Sequence, residues 1–150
     1  MRLLVVLSRM PFPLEKGDKL RAYHLVKRLA THHEVFLFCL SDQRIAASDL
    51  EQLRTFCAHI QVVHIPRWRI ALRMASALFS RLPFQVSYFH HRFAQRAIDR
   101  VIDSFKPEHA LCQLVRTTEY VRHRYDLPKT LDYMDTLSKG MERRAENAAF

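Results

Sequence analysis

The sequence is short of glycine. Gly17 and Gly140 are the only two in 150 residues, so neither the dinucleotide fingerprint G-x-G-x-x-G nor the phosphate loop G-x-x-x-x-G-K-[ST] can be found along the chain. NAD binding and P-loop ATP hydrolysis therefore lose their main sequence support. Long apolar runs are missing too: no segment approaches the about 18 unbroken apolar residues of a membrane span. The opening MRLLVVL, residues 1–7, is short for a secretory leader, and prolines and charges follow where a small-residue cleavage site would stand. It reads as a buried first strand. Cysteine is scarce as well. Cys39, Cys57 and Cys112 are an odd number without paired metal-type spacing, which favours free thiols in a reducing cytoplasm over a disulfide framework. No Ser-His-Asp or Cys-His constellation can be argued from the order of residues. His32-His33 and His90-His91-Arg92 raise the question of a metal, but adjacent helical histidines point in different directions and no further ligands stand at metal-site spacing. Surface positions are expected for them, and no metal.

Acid is also in short supply. Lys and Arg number 24 against 15 Asp and Glu, a net charge of +9 before any histidine contributes. That excess favours polyanionic partners, namely nucleic acid, an anionic membrane surface or a phosphorylated ligand, and by itself does not choose among them.

What is present is a chain the size of one domain, long enough to bury a core without disulfides or metal. Five apolar runs predict strands, at residues 3–7, 34–40, 60–65, 109–115 and, more weakly, 129–134. The first two are nearly continuous, as central parallel strands covered on both faces should be. Ala22, Leu25, Val26 and Leu29 repeat at helical spacing with Lys19, Arg21, Lys27 and Arg28 on other faces, an amphipathic helix whose first turn Asp18 is placed to cap. Leu50, Leu53 and Phe56 mark a shorter helix. Ala94, Ala97, Ile98, Val101, Ile102 and Phe105 give another, ended by Pro107. Residues 137–150 read as a last helix, weakened by Gly140. Strands alternating with helices predict an α/β fold: a Rossmann-like parallel sheet with helices on both faces.

The turn after strand one, SRMPFPLEKGDKLRAYHL at residues 8–25, lies where open parallel sheets bind ligands, beyond the carboxyl ends of the strands. Gly17 would let a ligand approach the backbone, the helix behind it offers unpaired N–H groups, and Pro11 and Pro13 stiffen the approach. Asp18 argues against simple phosphate capture, because its carboxylate occupies the helix end an anion wants. A rigid loop followed by a helix cap accounts for the same residues, and both readings stay open.

The stretch LSRMPFPLEKGDKLRAYHLVKRLATHHEVFLFCL resembles the start of the family 4 glycosyltransferases with the GT-B fold. The nearest branch is the bacterial exopolysaccharide and exosortase-linked sugar transferases, whose openings carry a similar P-x-P…KGD-x-x-R…L string. The later PKTLDYMDTLSKGMERRA is similar to that branch's P-x-V-L-D-x-V-D-x-L-S strand and helix. The two ends of the chain carry the likeness; its middle does so weakly. The resemblance implies that residues 1–150 form most of the N-terminal, acceptor-side domain of a two-domain enzyme, with the donor-binding C-terminal domain absent. It implies a metal-independent, retaining transferase without a cofactor, whose substrates are a nucleotide sugar and a glycan or lipid-linked acceptor, in the cytoplasm or peripheral on the inner face of the plasma membrane. Such a half is not expected to transfer sugar alone.

Carried over by position, Gly17 lines the cleft and Asp18 starts the first helix. Lys16, Lys19 and Arg21 are cationic neighbours able to meet a diphosphate or a charged acceptor, and for the last two solvated helix charges are the favoured reading. Many relatives place a His-Asp pair at the end of the fifth strand. Alignment on Pro128 puts Met134 at the histidine and Asp135 at the aspartate, so Asp135 is the candidate catalytic residue and the usual histidine contact is missing. Asp132 and Asp135 provide two carboxylates for sugar hydroxyls. Their odd spacing sends them to opposite faces of a regular strand, so both reach one ligand only if the chain turns after Met134. A strand-end turn with Asp135 capping the next helix is the alternative. Arg116, in QLVRTTEYV, ends the fourth strand, where it would bind a phosphate or form a salt bridge to Asp132 or Asp135.

The stretch PRWRIALRMASALFSRLPFQVSYFHHRF, residues 66–93, contains no acid. Arg67, Trp68, Arg69 and Arg73 begin a segment that would lie in an anionic membrane interface, or that is a crossover helix packed on the sheet. Two further classes stand beside the transferase: a basic nucleic-acid-binding α/β module and a non-catalytic membrane-surface adaptor.

Overall fold

A computed structural model describes residues 1–77 and 88–133, side chains at 73 and 75–77 excepted. The predicted Asp135, the residues 137–150 helix and the Phe79–Leu82 part of the basic stretch lie outside the described residues. In chain order the elements are β1 (Arg2–Leu7), α1 (Gly17–Ala30), β2 (Glu34–Ser41), α2 (Ala47–Arg54), β3 (His59–His64), α3 (Arg67–Ala77), α4 (Arg92–Phe105), β4 (His109–Gln113), the single-turn α5 (Val115–Thr118), a 3-10 turn (Glu119–Val121) and β5 (Lys129–Asp132). All the strand pairs are parallel, and the sheet order is β3-β2-β1-β4-β5. The first crossovers move outward from β1 through β2 to β3. The next returns across the sheet to β4 on the other side of β1, so the strand order reverses between β1 and β4.

Side-chain alternation explains why both faces are covered. In β1, Leu4 and Val6 point to one face and join Phe38, Leu40, Ala110 and Cys112 beneath Ile70 of α3 and Ala94, Ile98, Val101 and Ile102 of α4. Leu3, Val5 and Leu7 point to the other and meet Val35, Leu37 and Cys39 beneath Ala22, Tyr23 and Val26 of α1 and Leu53 of α2. Leu4, Val5 and Val6 are fully buried, each contributing about 1.5–3 kcal/mol by burial. A β1 sandwiched this way must be apolar at every position, which is why its sequence does not alternate. β3 and β5 are the edges and are only half-buried. The α/β Rossmann-like sheet with helices on both faces is the architecture that the alternating pattern predicts.

Three local details differ from the sequence reading. The fourth strand stops at Gln113 rather than running to Val115, because Leu114 adopts φ 67°, ψ 148°. Asp18 is not the residue before α1: Lys16 is, in extended conformation and without a side-chain cap, and Asp18 instead accepts the Lys19 N–H at 3.0 Å inside the first turn. His91 is not at the surface. It is 6% exposed, with its backbone N–H donating to the Tyr120 hydroxyl at 3.1 Å and its ring Nε2 3.1 Å from the Tyr88 carbonyl oxygen. The three cysteines are free and buried. No helix among the described residues is long and apolar enough to cross a membrane.

Candidate functional site

The carboxyl edge of the sheet gathers most of the candidate residues. β1 runs into Ser8, Arg9 and Met10; Ser8 and Met10 are buried, while the Arg9 side chain keeps 42% of its surface exposed. The loop then passes through a cis Phe12–Pro13 bond, and Phe12 lies against Tyr23 of α1 with ring centroids 6.0 Å apart. This pins the loop to the helix it feeds. Gly17 opens α1 without needing a glycine conformation: its φ is not positive, and a Cβ built there meets no atom within 4 Å. The missing side chain therefore leaves open space at the crevice rather than relieving the backbone.

At the opposite side of the switch point, β4 ends abruptly. Leu114 sits in a region of backbone space rarely used by L residues, at a cost of order 1–3 kcal/mol. Several bonds hold it there. Its N–H donates to the Asp132 carbonyl at 3.0 Å, its carbonyl accepts the Thr117 N–H at 3.1 Å, and the buried Thr117 hydroxyl lies 2.9 and 3.0 Å from the Gln113 and Leu114 carbonyls. The resulting corner turns the chain into α5 and places Arg116 there, one turn beyond the strand rather than at its end. The Arg116 guanidinium lies over the Phe89 ring, 4.8 Å from its centroid. Its Nε is buried and has no hydrogen-bond partner among the described residues. Burial, followed by the nearby charge of Arg9, pulls the guanidinium below its ordinary pKa, and Asp18 opposes the shift. Among the described residues Arg116 forms no salt bridge, so the predicted bridge to Asp132 is absent.

Asp132 is taken by another partner. Arg21 of α1 donates to its Oδ1 at 2.8 Å, linking the first helix to the tip of β5. Arg21 is thus a paired residue rather than a freely solvated one. Asp132 Oδ2 is buried and has no hydrogen-bond partner among the described residues. The strand ends at Asp132, so the chain leaves regular pairing before Met134. Lys19 is also less solvated than expected: its side chain is 15% exposed and its Nζ lies 3.4 Å from Glu15. Lys16 is exposed at the mouth. Asp18 Oδ2 lies 3.9 Å from Arg9, an ion pair too long to be a hydrogen bond.

Several participants were missed from sequence. Arg9 stands two residues past the end of β1, and the strand-end rule would have singled it out. Tyr88 donates to Asp42, just past β2, at 3.2 Å. Burial, then Asp42, raises the Tyr88 hydroxyl pKa, while Arg9 and Arg67 lower it, so these two cations face the same corner. Phe89 and Tyr88 carry no local signal; only the folding of the crossover brings them here. Between the ends of β1 and β2 lies a crevice of about 170 Å3 lined by Arg9, Phe12, Lys16, Lys19, Ser41 and Asp42, among others. It is smaller than the about 300–1,000 Å3 of a complete ligand pocket.

The basic stretch packs on the sheet as the crossover-helix reading expects and leaves two large apolar side chains outside. Ile70 of α3 is buried and Met74 packs against the same core, as a crossover helix requires. One turn apart on the outside, Trp68 and Leu72 are 60% and 64% exposed. The Arg69 guanidinium lies 5.0 Å from the Trp68 ring centroid and 4.9 Å from that of Phe93. Arg67 opens the helix, and the Arg73 side chain lies outside the described part. Among the described residues no three His, Cys, Asp or Glu side chains are grouped as a metal site.

Comparison with known proteins matches no family model and no curated protein.

Proposed function

We propose that this chain is the acceptor-side half of a sugar-nucleotide-dependent glycosyltransferase, and that the carboxyl edge at the β1–β4 switch point, with the crevice beside it between the ends of β1 and β2, is its sugar-handling surface. One observation carries the reading. The Lys16-Gly17-Asp18 bend, Arg116 and Asp132, which the family resemblance singles out separately, meet at one sheet edge, tied by the 2.8 Å Arg21–Asp132 bridge. Asp132, held by Arg21 at the tip of β5, would offer its carboxylate to a sugar hydroxyl. Open space over Gly17 admits the ring, and Asp135, three residues beyond Asp132, is the candidate catalytic carboxylate. A 170 Å3 crevice is a half-site; a facing domain that binds the nucleotide sugar would complete it. Guanidinium and backbone N–H groups preoriented in the closed cleft would stabilise charge on the departing diphosphate.

The test is an assay of the protein expressed together with the coding sequence downstream of Phe150, using UDP-, GDP- and dTDP-linked sugars with bacterial lipid extract as acceptor. Asp135→Ala should cut turnover at least a hundredfold with the melting temperature unchanged. Wild-type turnover in that variant, or no transfer from any donor, rejects the reading.

A second reading rests on a separate observation. Trp68 and Leu72 form an exposed apolar strip on a helix that carries Arg67, Arg69 and Arg73 and no acid, the composition of a helix that lies on an anionic membrane surface. It is compatible with the first, since α3 begins at the same carboxyl edge as the crevice.

A further inference from the structure

The carboxyl edge at the β1–β4 switch point brings two arginines close enough to repel each other. Arg9, from the β1–α1 loop, and Arg116, from the corner after β4, approach the switch point from either side. One carboxylate stands between them. Asp18 pairs with Arg9 at 3.9 Å, acts on Arg116 without forming an ion pair, and its other oxygen already accepts the Lys19 N–H. Asp42 accepts a hydrogen bond from the neutral Tyr88 hydroxyl and keeps its charge, but forms no ion pair with either arginine, and Asp132 is paired with Arg21. No other acid among the described residues is bonded to either arginine. The Arg116 guanidinium carbon lies 4.8 Å from the Phe89 ring centroid, and its buried Nε has no acceptor among the described residues. A guanidinium with an N–H left unpartnered has a donor free for an acceptor, which suits phosphate oxygens. The corner that presents it is built on the unusual Leu114 backbone, which four bonds hold in place.

We propose that Arg9 and Arg116, the latter seated on Phe89, form a binding subsite for a phosphate group at the β1–β4 switch point. The subsite is separate from the N-terminus of α1, where Asp18 already meets the backbone. Two guanidinium groups on different elements need an anion with oxygens on more than one side. Phosphate and diphosphate meet that need, whereas one carboxylate (Asp18) leaves a net positive charge. The ligand class is therefore a phosphate monoester or a diphosphate. The inference deepens the transferase reading by giving the acceptor a phosphate next to the sugar-handling surface, and it rests on that reading only for the word acceptor. The binding itself stands on the arginine pair.

The probe is inorganic pyrophosphate, titrated calorimetrically into the 150-residue chain at low salt. Wild type should bind one equivalent saturably. Arg9→Gln and Arg116→Gln should each weaken binding at least tenfold, Arg116→Lys should recover part of the loss, and Arg100→Gln, an exposed arginine of α4, should leave it unchanged. Melting curves for each variant separate lost binding from lost fold, and the exposed Arg9 tests the proposal if the Arg116 variants do not fold. No saturable binding, or equal binding in Arg9→Gln and wild type, overturns the subsite. A second arm separates the two sources of phosphate. Vesicles containing phosphatidic acid should compete with pyrophosphate if a lipid headgroup fits the site, and sugar 1-phosphates should compete if a soluble ester does. Competition by neither, with pyrophosphate bound, leaves a diphosphate as the ligand. Pyrophosphate binding without sugar transfer retains the subsite and rejects the transferase; transfer that is unaffected in Arg9→Gln does the reverse.

Discussion

At the scale of single residues, Gly17 separates a structural role from a binding one. A glycine kept for its backbone would have positive φ, and one kept for packing would face a crowded Cβ position; Gly17 has neither feature. As the first helical residue it costs stability relative to alanine, by up to about 1 kcal/mol in a helix interior. Gly17→Ala should therefore raise the melting temperature slightly. If the crevice admits a sugar, the same methyl should lower turnover of the two-domain protein severalfold through KM. A stabilised variant with unchanged KM would mean that no ligand passes over this position. The cysteines give a second prediction. Burial pushes Cys57 and Cys112 up to about 12, and Cys39 further still, helped by Cys57. Because the folded thiols hold their protons while unfolded ones ionise near pH 9, this contribution is complete below pH 9. It is lost as pH rises toward 12, at up to about 1.4 kcal/mol per pH unit for each thiol. Urea unfolding at pH 8 and pH 10 should show a smaller drop for Cys112→Ala than for wild type. Iodoacetamide at pH 8 should label none of the three until the chain unfolds.

At the scale of elements, the two non-glycine residues with positive φ among those described differ in purpose. Leu114 turns the chain into the corner that carries Arg116, whereas Lys106 only ends α4, with φ 49° and its N–H on the Ile102 carbonyl at 2.9 Å. Lys106→Gly should stabilise the chain by about 1 kcal/mol, measured by denaturant midpoint at constant slope, because glycine takes that conformation without a Cβ clash. The same pair shows what could be read in the sequence. All five strands and the α1, α2 and α4 helices were visible, since covered parallel strands are apolar runs and α4 repeats its apolar residues at helical spacing. The end of β4 was not, because Leu114 and Val115 are apolar and leucine is no turn residue; only the bonds to Asp132 and Thr117 stop the strand there. Of the site, the Lys-Gly-Asp bend, Arg116 and Asp132 were legible as ends of predicted elements. Tyr88, Phe89 and the coupling of Arg9 to Arg116 arise from a crossover between distant strands, and no local pattern encodes them. His91 was read as a surface residue because a polar pair beside an arginine looks exposed; its bonds to Tyr120 and Tyr88 are what allow its burial.

At the scale of the whole molecule, the net charge of +9 and the outer strip of α3 pose one question: whether anions are attracted generally or at a shaped surface. A uniform basic exterior binds any polyanion, with a steep salt dependence and no need for Trp68 or Leu72. A membrane-docking face needs both charge and apolar insertion. Flotation with vesicles of phosphatidylcholine containing phosphatidylserine distinguishes these, with pure phosphatidylcholine as control. Neutralising Arg67, Arg69 and Arg73 to Gln should weaken binding by roughly a hundredfold, at roughly 1 kcal/mol for each arginine near the surface. Trp68→Ser with Leu72→Ser should weaken it severalfold while leaving the charge unchanged, and neither change should lower the melting temperature much, because both apolar side chains are more than half exposed. If the serine pair floats like wild type, and a single-stranded oligonucleotide binds wild type and serine pair alike, the charge serves nucleic acid rather than lipid. Loss of flotation in the serine pair alone, with oligonucleotide binding unchanged, places the protein on a membrane through α3, with the carboxyl edge and its arginine pair beside the headgroups.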